Sequence, residues 1–185
     1  MFDSSDSDES LVQATGKGEL VAFEEIVRRY QAWVWRVAFR FLGDENEAAD
    51  MVQEAFLRLM NAAGRYRPNA KFRTYFYQII TRLCLDRAKK KQPLYLETIS
   101  DSPDPSPGTV DALMWQETSA AVRTALDALP PNQRMAIVLR YYEDQNYDEI
   151  ASVLETTTKA VERLLARGRE RLRVILRNWD DFFYY

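Results

Sequence analysis

Residues 147–167 of the chain read YDEIASVLETTTKAVERLLAR, and this stretch decides the fold of the C-terminal part. Apolar residues at helical spacing predict a short helix around Ile150 and Ala151, a tight turn at residues 155–157 and a second helix around Val161. Ala151 is small enough for the two helices to cross closely, while the larger apolar residues fill the inside of the corner. The stretch therefore predicts a helix-turn-helix.

The second of these helices carries cations on its outer face. Lys159, Arg163 and Arg167 lie opposite the apolar residues on a helical wheel. In a helix-turn-helix that binds DNA, the N-terminal residues of the second helix enter the major groove. A helical hairpin that only packs against its neighbours is the alternative, but the arginines on the outer face favour DNA binding.

The rest of the chain is also predicted to be helical, because apolar residues recur at three-to-four spacing and strand-like alternation does not persist. Glycine and proline residues mark where the helices end and begin. The predicted helices are Leu20–Leu42, Asn46–Ala63, Ala70–Lys91, Ala112–Leu129, Pro131–Glu143, a short helix capped by Asn146 and ending at Leu154, and Thr158–Trp179.

A stretch rich in Pro, Asp and Ser separates two helical units. Four prolines fall within residues 93–107 and Gly108 follows them, a composition that suits neither a helix nor a packed strand. We predict an all-α fold with a first domain at residues 1–92, a flexible linker at 93–111, a helix-turn-helix domain at 112–179 and an aromatic tail at 180–185.

Composition narrows the function classes. The chain has 185 residues, no His and a single Cys, Cys84, so His-based acid–base catalysis and Cys-only metal sites are excluded. We predict no catalytic residue, no metal and no cofactor. The acidic N-terminus does not resemble a signal peptide and no apolar run is long enough to span a bilayer, so we expect a cytoplasmic chain without membrane insertion.

The net charge of −3 hides two basic patches. Residues 64–92 contain nine basic residues and one acid, and residues 156–179 contain seven basic residues and two acids. Residues 93–122, between them, hold five acids and no base. This pattern favours a polyanion held at two places, although solvated helix faces are an alternative for either patch.

The helix predicted at residues 46–63 has an acidic face with one large apolar side chain, formed by Asp50, Gln53, Glu54 and Leu57. Such a face suits protein docking. Two alternatives are a lone exposed leucine on an ordinary helix surface and a divalent-ion site of a nuclease at the two carboxylates.

Between residues 65 and 77, cations alternate with aromatic residues. Cations follow a phosphate backbone, and aromatic rings stack on unpaired bases. We expect Phe72, Phe76 and Ile79 to be core residues, with Tyr75 and Tyr77 pointing away from them. The segment is therefore better suited to opened DNA strands than to intact duplex.

Five motifs in order along the chain resemble those of the bacterial extracytoplasmic-function sigma factors. They are DMVQEAFLRL at residues 50–59, FRTYFYQI at 72–79, LPPNQR at 129–134, YDEIA at 147–151, and KAVERLL at 159–165 followed by Arg167 and Arg169. The resemblance covers residues 10–177. Several linked motifs across two domains are more specific than any one of them.

The resemblance implies a non-enzymatic promoter-specificity subunit. In that family the first domain binds the clamp helices of the largest subunit of core RNA polymerase and opens the minus-ten element of promoter DNA. The second domain reads the minus-thirty-five element and contacts the flap of the other large subunit, and an anti-sigma factor is an expected further partner. An autonomous helix-turn-helix regulator, which has no need of the acidic docking face, is the alternative.

The resemblance also implies three groups of site residues. They are Asp50, Gln53, Glu54 and Leu57 for polymerase docking, Arg65, Arg67, Asn69, Lys71, Arg73, Tyr75 and Tyr77 for the minus-ten element, and Lys159, Glu162, Arg163 and Arg167 for the minus-thirty-five element. The chain departs from the family pattern at Tyr75 and Gly168, where the family usually has Trp and Ala, and at Arg82, where it often has Asn.

Overall fold

The computed structural model describes residues 6–67, 71–91 and 120–183, and all the regular structure in these ranges is helical. The predicted linker at 93–111 lies outside the described residues, as do residues 112–119 of the helix predicted at 112–129. The helices are α1 (Asp8–Gly16), α2 (Leu20–Leu42), α3 (Glu45–Ala63), α4 (Phe72–Lys91), α5 (helical from 120 to 127), α6 (Pro131–Tyr141), α7 (Tyr147–Val153) and α8 (Thr158–Phe183).

Local sequence signals explain the helix ends in the first unit. Gly43 ends α2 in a left-handed conformation, with φ at 73°, and its N–H donates to the Phe39 carbonyl oxygen. Asp44 then caps α3, because its carboxylate accepts a hydrogen bond from the Glu47 N–H at 2.8 Å. The bounds of α2 match the prediction.

Helix α1 was not predicted from the sequence. It is short, and its first turn lies in an acidic, serine-rich stretch. Leu11, Val12 and Ala14 are nevertheless buried against α2 and α3. Tertiary packing therefore stabilises a nine-residue helix that would be marginally stable in isolation.

Two groups of helices each surround a core. In the first group, α2 packs on α1, α3 and α4 around a cluster of aromatic rings that includes Tyr30, Phe56, Phe72 and Phe76. In the second, α6, α7 and α8 pack on one another around Met135, Leu139, Ile150, Val161 and Leu165. The all-α, two-domain prediction is confirmed, and α8 extends four residues beyond its predicted end.

The two groups also touch each other. Helices α6 and α7 pack on α4, and α6 packs on α2. The guanidinium of Arg134 on α6 donates to the Phe41 carbonyl oxygen at 2.8 Å, which satisfies a backbone acceptor at the end of α2. The outward face of α4 is therefore partly an interface between the two groups.

Candidate functional site

The four predicted docking residues lie together on a groove between α3 and α4. Asp50, Gln53, Glu54 and Leu57 line one wall of an open groove of about 660 Å³. Leu57 is 56% exposed. Because α3 buries Ala55, Phe56 and Leu59 on its other side, these four side chains are directed away from the core.

The opposite wall of the groove comes from α4 and is basic. Arg87, Lys89 and Lys90 line it together with the apolar Leu83. One salt bridge joins the two helices, since the Arg87 guanidinium lies 3.1 Å from the Glu47 carboxylate. A groove with one acidic wall, one basic wall and an exposed leucine suits a partner that presents both charges and an apolar contact.

The basic segment before α4 is on the surface. Arg65, Arg67, Lys71 and Arg73 are all exposed, and Asn69 lies outside the described residues. The first N–H of α4, from Phe72, donates to the Glu9 carboxylate at 3.0 Å, so an acid of α1 fixes the start of this helix. The exposed cations present positive charge to a polyanion such as DNA, although Arg73 also donates to the Tyr77 hydroxyl at 3.3 Å.

The two tyrosines of this segment are placed differently. Tyr75 is half-buried and packs against Tyr66, with 5.3 Å between ring centroids. Tyr77 is only 2% exposed, so the prediction that it points away from the core is wrong. Its ring lies perpendicular to that of Trp33 at 4.4 Å, and its hydroxyl donates to the Glu143 carboxylate at 2.9 Å.

The cause of this difference lies in the second group of helices. A helical wheel of α4 shows which residues face the first core, but it does not show that α6 and α7 cover the other side. Burial raises the pKa of the Tyr77 hydroxyl, and the negative charge of Glu143 raises it further.

Two further contacts cross from α4 to the helix-turn-helix. The Gln78 amide donates to the Ser152 carbonyl oxygen at 2.9 Å. Arg82 forms an ion pair with Glu155 in the turn. The hydrogen bond from Arg82 lowers the pKa of the Glu155 carboxyl. The face of α4 that carries these residues is therefore held against the second group.

The predicted helix-turn-helix is present. Asn146 and Glu149 form a reciprocal capping box at the start of α7. Glu155 in the turn has a φ of 51°, a left-handed conformation that reverses the chain, and the Thr157 hydroxyl accepts from the Ala160 N–H at 3.2 Å as α8 begins. These contacts fix where α8 starts.

The outer face of α8 is open. Lys159, Glu162, Arg163 and Arg167, the four predicted minus-thirty-five residues, are exposed on it. Gly168 faces the other way and is buried, and a Cβ added there would lie 3.1 Å from Ile137 Cγ1. The glycine in place of the usual alanine therefore permits a close approach of α8 to α6.

The second group carries an apolar groove that was not predicted from the sequence. It has a volume of about 310 Å³ and is lined mainly by apolar residues of α5, α6 and α8, among them Leu126, Ile137, Tyr141, Leu172 and Leu176. Tyr141 is 52% exposed at its rim. The adjacent tyrosines at 141 and 142, at the end of an otherwise buried helix, were the available signal.

Neither a metal-binding cluster nor a membrane-spanning helix is found among the described residues. Within 6–67, 71–91 and 120–183, no group of three or more His, Cys, Asp or Glu residues is placed to hold a metal ion. In the same ranges, no helix combines the length and apolar character needed to cross a membrane.

Known proteins similar to this chain fall into one family. The family model for Sigma-70 region 2 matches residues 26–93, and the model for Sigma-70, region 4 matches residues 119–172. The ECF RNA polymerase sigma factor SigW of Bacillus subtilis (strain 168) is 31% identical over 182 residues, which cover 90% of this chain and 95% of SigW.

Two solved structures have a similar fold. The structure of CnrH in complex with the cytosolic domain of CnrY has a TM-score of 0.70 and 24% identity, covering 94% of this chain and 99% of CnrH. The sigma factor RpoE from Bartonella quintana, in complex with the anti-sigma factor NepR, has a TM-score of 0.59 and 17% identity, covering 84% of this chain and 96% of RpoE. These two structures support the fold. The identity to SigW and the two family models show that the chain belongs to the ECF sigma factors of RNA polymerase, which are transcription initiation factors and not enzymes.

Proposed function

We propose that this sigma factor binds the clamp helices of the largest polymerase subunit in the groove between α3 and α4. The observation that supports this proposal most strongly is that Asp50, Gln53, Glu54 and Leu57 line one groove while the leucine remains 56% exposed. A helix of the partner could cover the leucine and pair its charges with both walls.

The segment of residues 65–77 captures the opened minus-ten element. Its support is the row of exposed cations that precedes and begins α4, next to the half-buried ring of Tyr75. Cations hold the backbone of a single strand, and a partly exposed ring offers a surface on which an unpaired base can stack.

The outer face of α8 reads the minus-thirty-five element. Lys159, Glu162, Arg163 and Arg167 are exposed at the N-terminal end of the second helix of the helix-turn-helix. Arginine donates two hydrogen bonds to guanine in the major groove, and a carboxylate accepts from cytosine, so the set can distinguish base pairs.

The apolar groove in the second group of helices, with Tyr141 at its rim, is the site for the flap of the other large subunit. We assign residues 1–92 to the first domain and 112–179 to the second, joined by a linker at 93–111, and the two family models that match 26–93 and 119–172 support this division. The chain acts in the cytoplasm, where core polymerase and promoter DNA are its partners.

An anti-sigma factor regulates the chain. The structure of RpoE from Bartonella quintana contains that sigma factor together with the anti-sigma factor NepR, and the fold is similar to that of this chain. The exposed Leu57 groove is a surface that such a regulator could cover.

Site-specific photocrosslinking to core RNA polymerase tests the two polymerase contacts. A photoreactive residue at position 57 is expected to crosslink to the largest subunit, and one at position 141 to the other large subunit. Exposed Gln31 on α2 is the control position and should give neither product. The assignment would be contradicted if position 57 crosslinked to the other large subunit and position 141 to the largest one. Crosslinking yields equal to the yield from position 31 would contradict it as well.

A further inference from the structure

Glu143, in the loop between α6 and α7, has a nearly buried carboxylate surrounded by donors of the first domain. Its side chain is 5% exposed. It accepts hydrogen bonds from Trp33 Nε1 at 2.9 Å, from the Tyr77 hydroxyl at 2.9 Å and from the Arg40 guanidinium at 2.8 Å. Tyr77 belongs to the motif at residues 72–79, whereas Trp33, Arg40 and Glu143 lie outside all five motifs.

These donors form a preorganised site for an anion. Trp33 and Tyr77 are buried, and each ring fixes the other at 4.4 Å in a perpendicular arrangement. The Arg73 guanidinium lies 5.6 Å from the centre of the Tyr77 ring and 3.3 Å from its hydroxyl. All four donor side chains belong to α2 and α4, so the donors lie within the first domain. The second domain supplies the carboxylate and also contacts Arg40, through the Tyr142 carbonyl oxygen at 3.4 Å and the Tyr142 ring at 4.7 Å.

The composition of the site indicates which other anion it would take. Two guanidinium groups, an indole N–H and a phenol hydroxyl are donors that bind phosphate oxygens in nucleic-acid complexes. The site lies on α4, the helix that carries the proposed minus-ten residues Arg73 and Tyr75. The Glu143 carboxylate therefore has the place and charge of a backbone phosphate. Trp33, Tyr77 and Arg40 bind it directly, and Arg73 acts through the Tyr77 hydroxyl.

We propose that Glu143 occupies a phosphate-binding site of the first domain, and that single-stranded DNA takes this site when the two domains separate. The inference rests on the proposed minus-ten function and adds its regulation. The contacts of Gln78 with Ser152 and of Arg82 with Glu155 cover the same face of α4, so they close the site together with Glu143.

The closed arrangement covers one surface selectively. The Leu57 groove and the outer face of α8 remain exposed while Glu143 is bound. The closed chain can therefore approach polymerase and duplex DNA, but its single-strand site becomes available only after the domains move apart. Premature binding to single-stranded nucleic acid is thereby reduced.

The Glu143→Gln variant of the full chain tests the proposal with a fluorescein-labelled 20-nucleotide oligothymidylate. Loss of one charge-assisted interaction is expected to make binding about tenfold tighter. The dependence of affinity on salt should steepen by about 0.7, the slope for one additional phosphate on a single strand. Asp144→Asn removes the same charge from the next, exposed residue and should leave both quantities unchanged. Unchanged affinity for Glu143→Gln, with an unchanged fold, would overturn the proposal.

A second substitution locates the site. Arg40→Ala added to Glu143→Gln should abolish the gain in affinity for the oligothymidylate, because the guanidinium that would hold the phosphate has been removed. Arg36→Ala, which changes an exposed arginine of the same helix, should preserve the gain. Equal losses for Arg40 and Arg36 would show a general charge effect and would contradict a defined site.

A variant outside the site gives an independent measurement. Glu155→Gln loosens the exposed ion pair with Arg82 and leaves the donors around Glu143 intact. Small-angle scattering should show a larger radius of gyration and anisotropy should show tighter binding, both to a smaller extent than for Glu143→Gln. An expanded chain without tighter binding would refute the phosphate site.

The binding assay contains no polymerase, so failure of this inference can be distinguished from failure of the proposed function. If the parent chain supports promoter-directed transcription by core polymerase but Glu143→Gln does not bind the oligothymidylate more tightly, this inference is refuted and the proposed function is retained. A gain without any transcription would retain the anion site and refute its minus-ten role.

Discussion

Leu57→Ala tests the docking groove with little effect on the fold. Full burial of a leucine side chain contributes about 1.5–3 kcal/mol. The 56% of Leu57 that is still exposed therefore represents about 0.8–1.7 kcal/mol that a partner can gain by covering it. This range corresponds to about 4- to 18-fold weaker binding of the variant to core polymerase.

The assay is biolayer interferometry with immobilised core polymerase, together with thermal melting followed by circular dichroism. Folding stability should change by less than about 0.5 kcal/mol, because the side chain is on the surface and alanine favours the helix. Met60→Ala is the matched control, since Met60 is 45% exposed one turn later on α3 and does not line the groove. Equal affinities for Leu57→Ala and the parent chain would refute the docking assignment, as would an equal loss for Met60→Ala.

Three further predictions concern DNA and pH. Arg163→Ala should weaken binding to promoter duplex by about 1–3 kcal/mol more than binding to unrelated DNA, in titrations at one salt concentration. Arg173→Ala is the control and should weaken binding to both duplexes alike. Equal losses on both duplexes for Arg163→Ala would contradict base recognition. Tyr75→Leu should leave recruitment of polymerase intact but reduce strand opening, measured as permanganate reactivity of unpaired thymines. A template already mismatched at the minus-ten element should restore transcription. Strand opening at the parental level would show that the Tyr75 ring has a structural role only. Hydrogen bonds from Arg28 and Arg29 lower the pKa of Glu25 from 4.5 to about 2, so this carboxylate stabilises the fold above pH 4.5 and loses that effect as the pH falls towards 2. Glu25→Gln should therefore make the melting temperature less dependent on pH over this range. A pH profile of melting temperature parallel to that of the parent would contradict the ion pair.

Most of the helical framework follows from local signals in the sequence. Gly43 and the capping pair of Asn146 and Glu149 fix helix ends through contacts within a few residues, and the structure contains both. The apolar spacing of the helix-turn-helix likewise predicts that Ile150 and Val161 face the corner, where both are buried. Such features depend on neighbouring residues and are therefore visible in the sequence alone.

Features that depend on distant pairings were not visible. Glu143 is 66 residues from Tyr77 and 110 from Trp33, and no local pattern joins them. The burial of Tyr77 depends on the second group of helices, so periodicity within α4 assigned it to the wrong side. Helix α1 was missed for a similar reason, since its stability comes from the surface on which it packs.

The most direct test of the account is transcription by purified core RNA polymerase with and without this chain, using sheared bacterial DNA as template and mapping RNA 5′ ends by sequencing. We expect new transcripts from discrete start sites that share elements near minus ten and minus thirty-five, with fewer transcripts for Leu57→Ala and parental levels for Met60→Ala. A folded chain that produces no new start sites, or transcripts that begin only at fragment ends, would contradict the account.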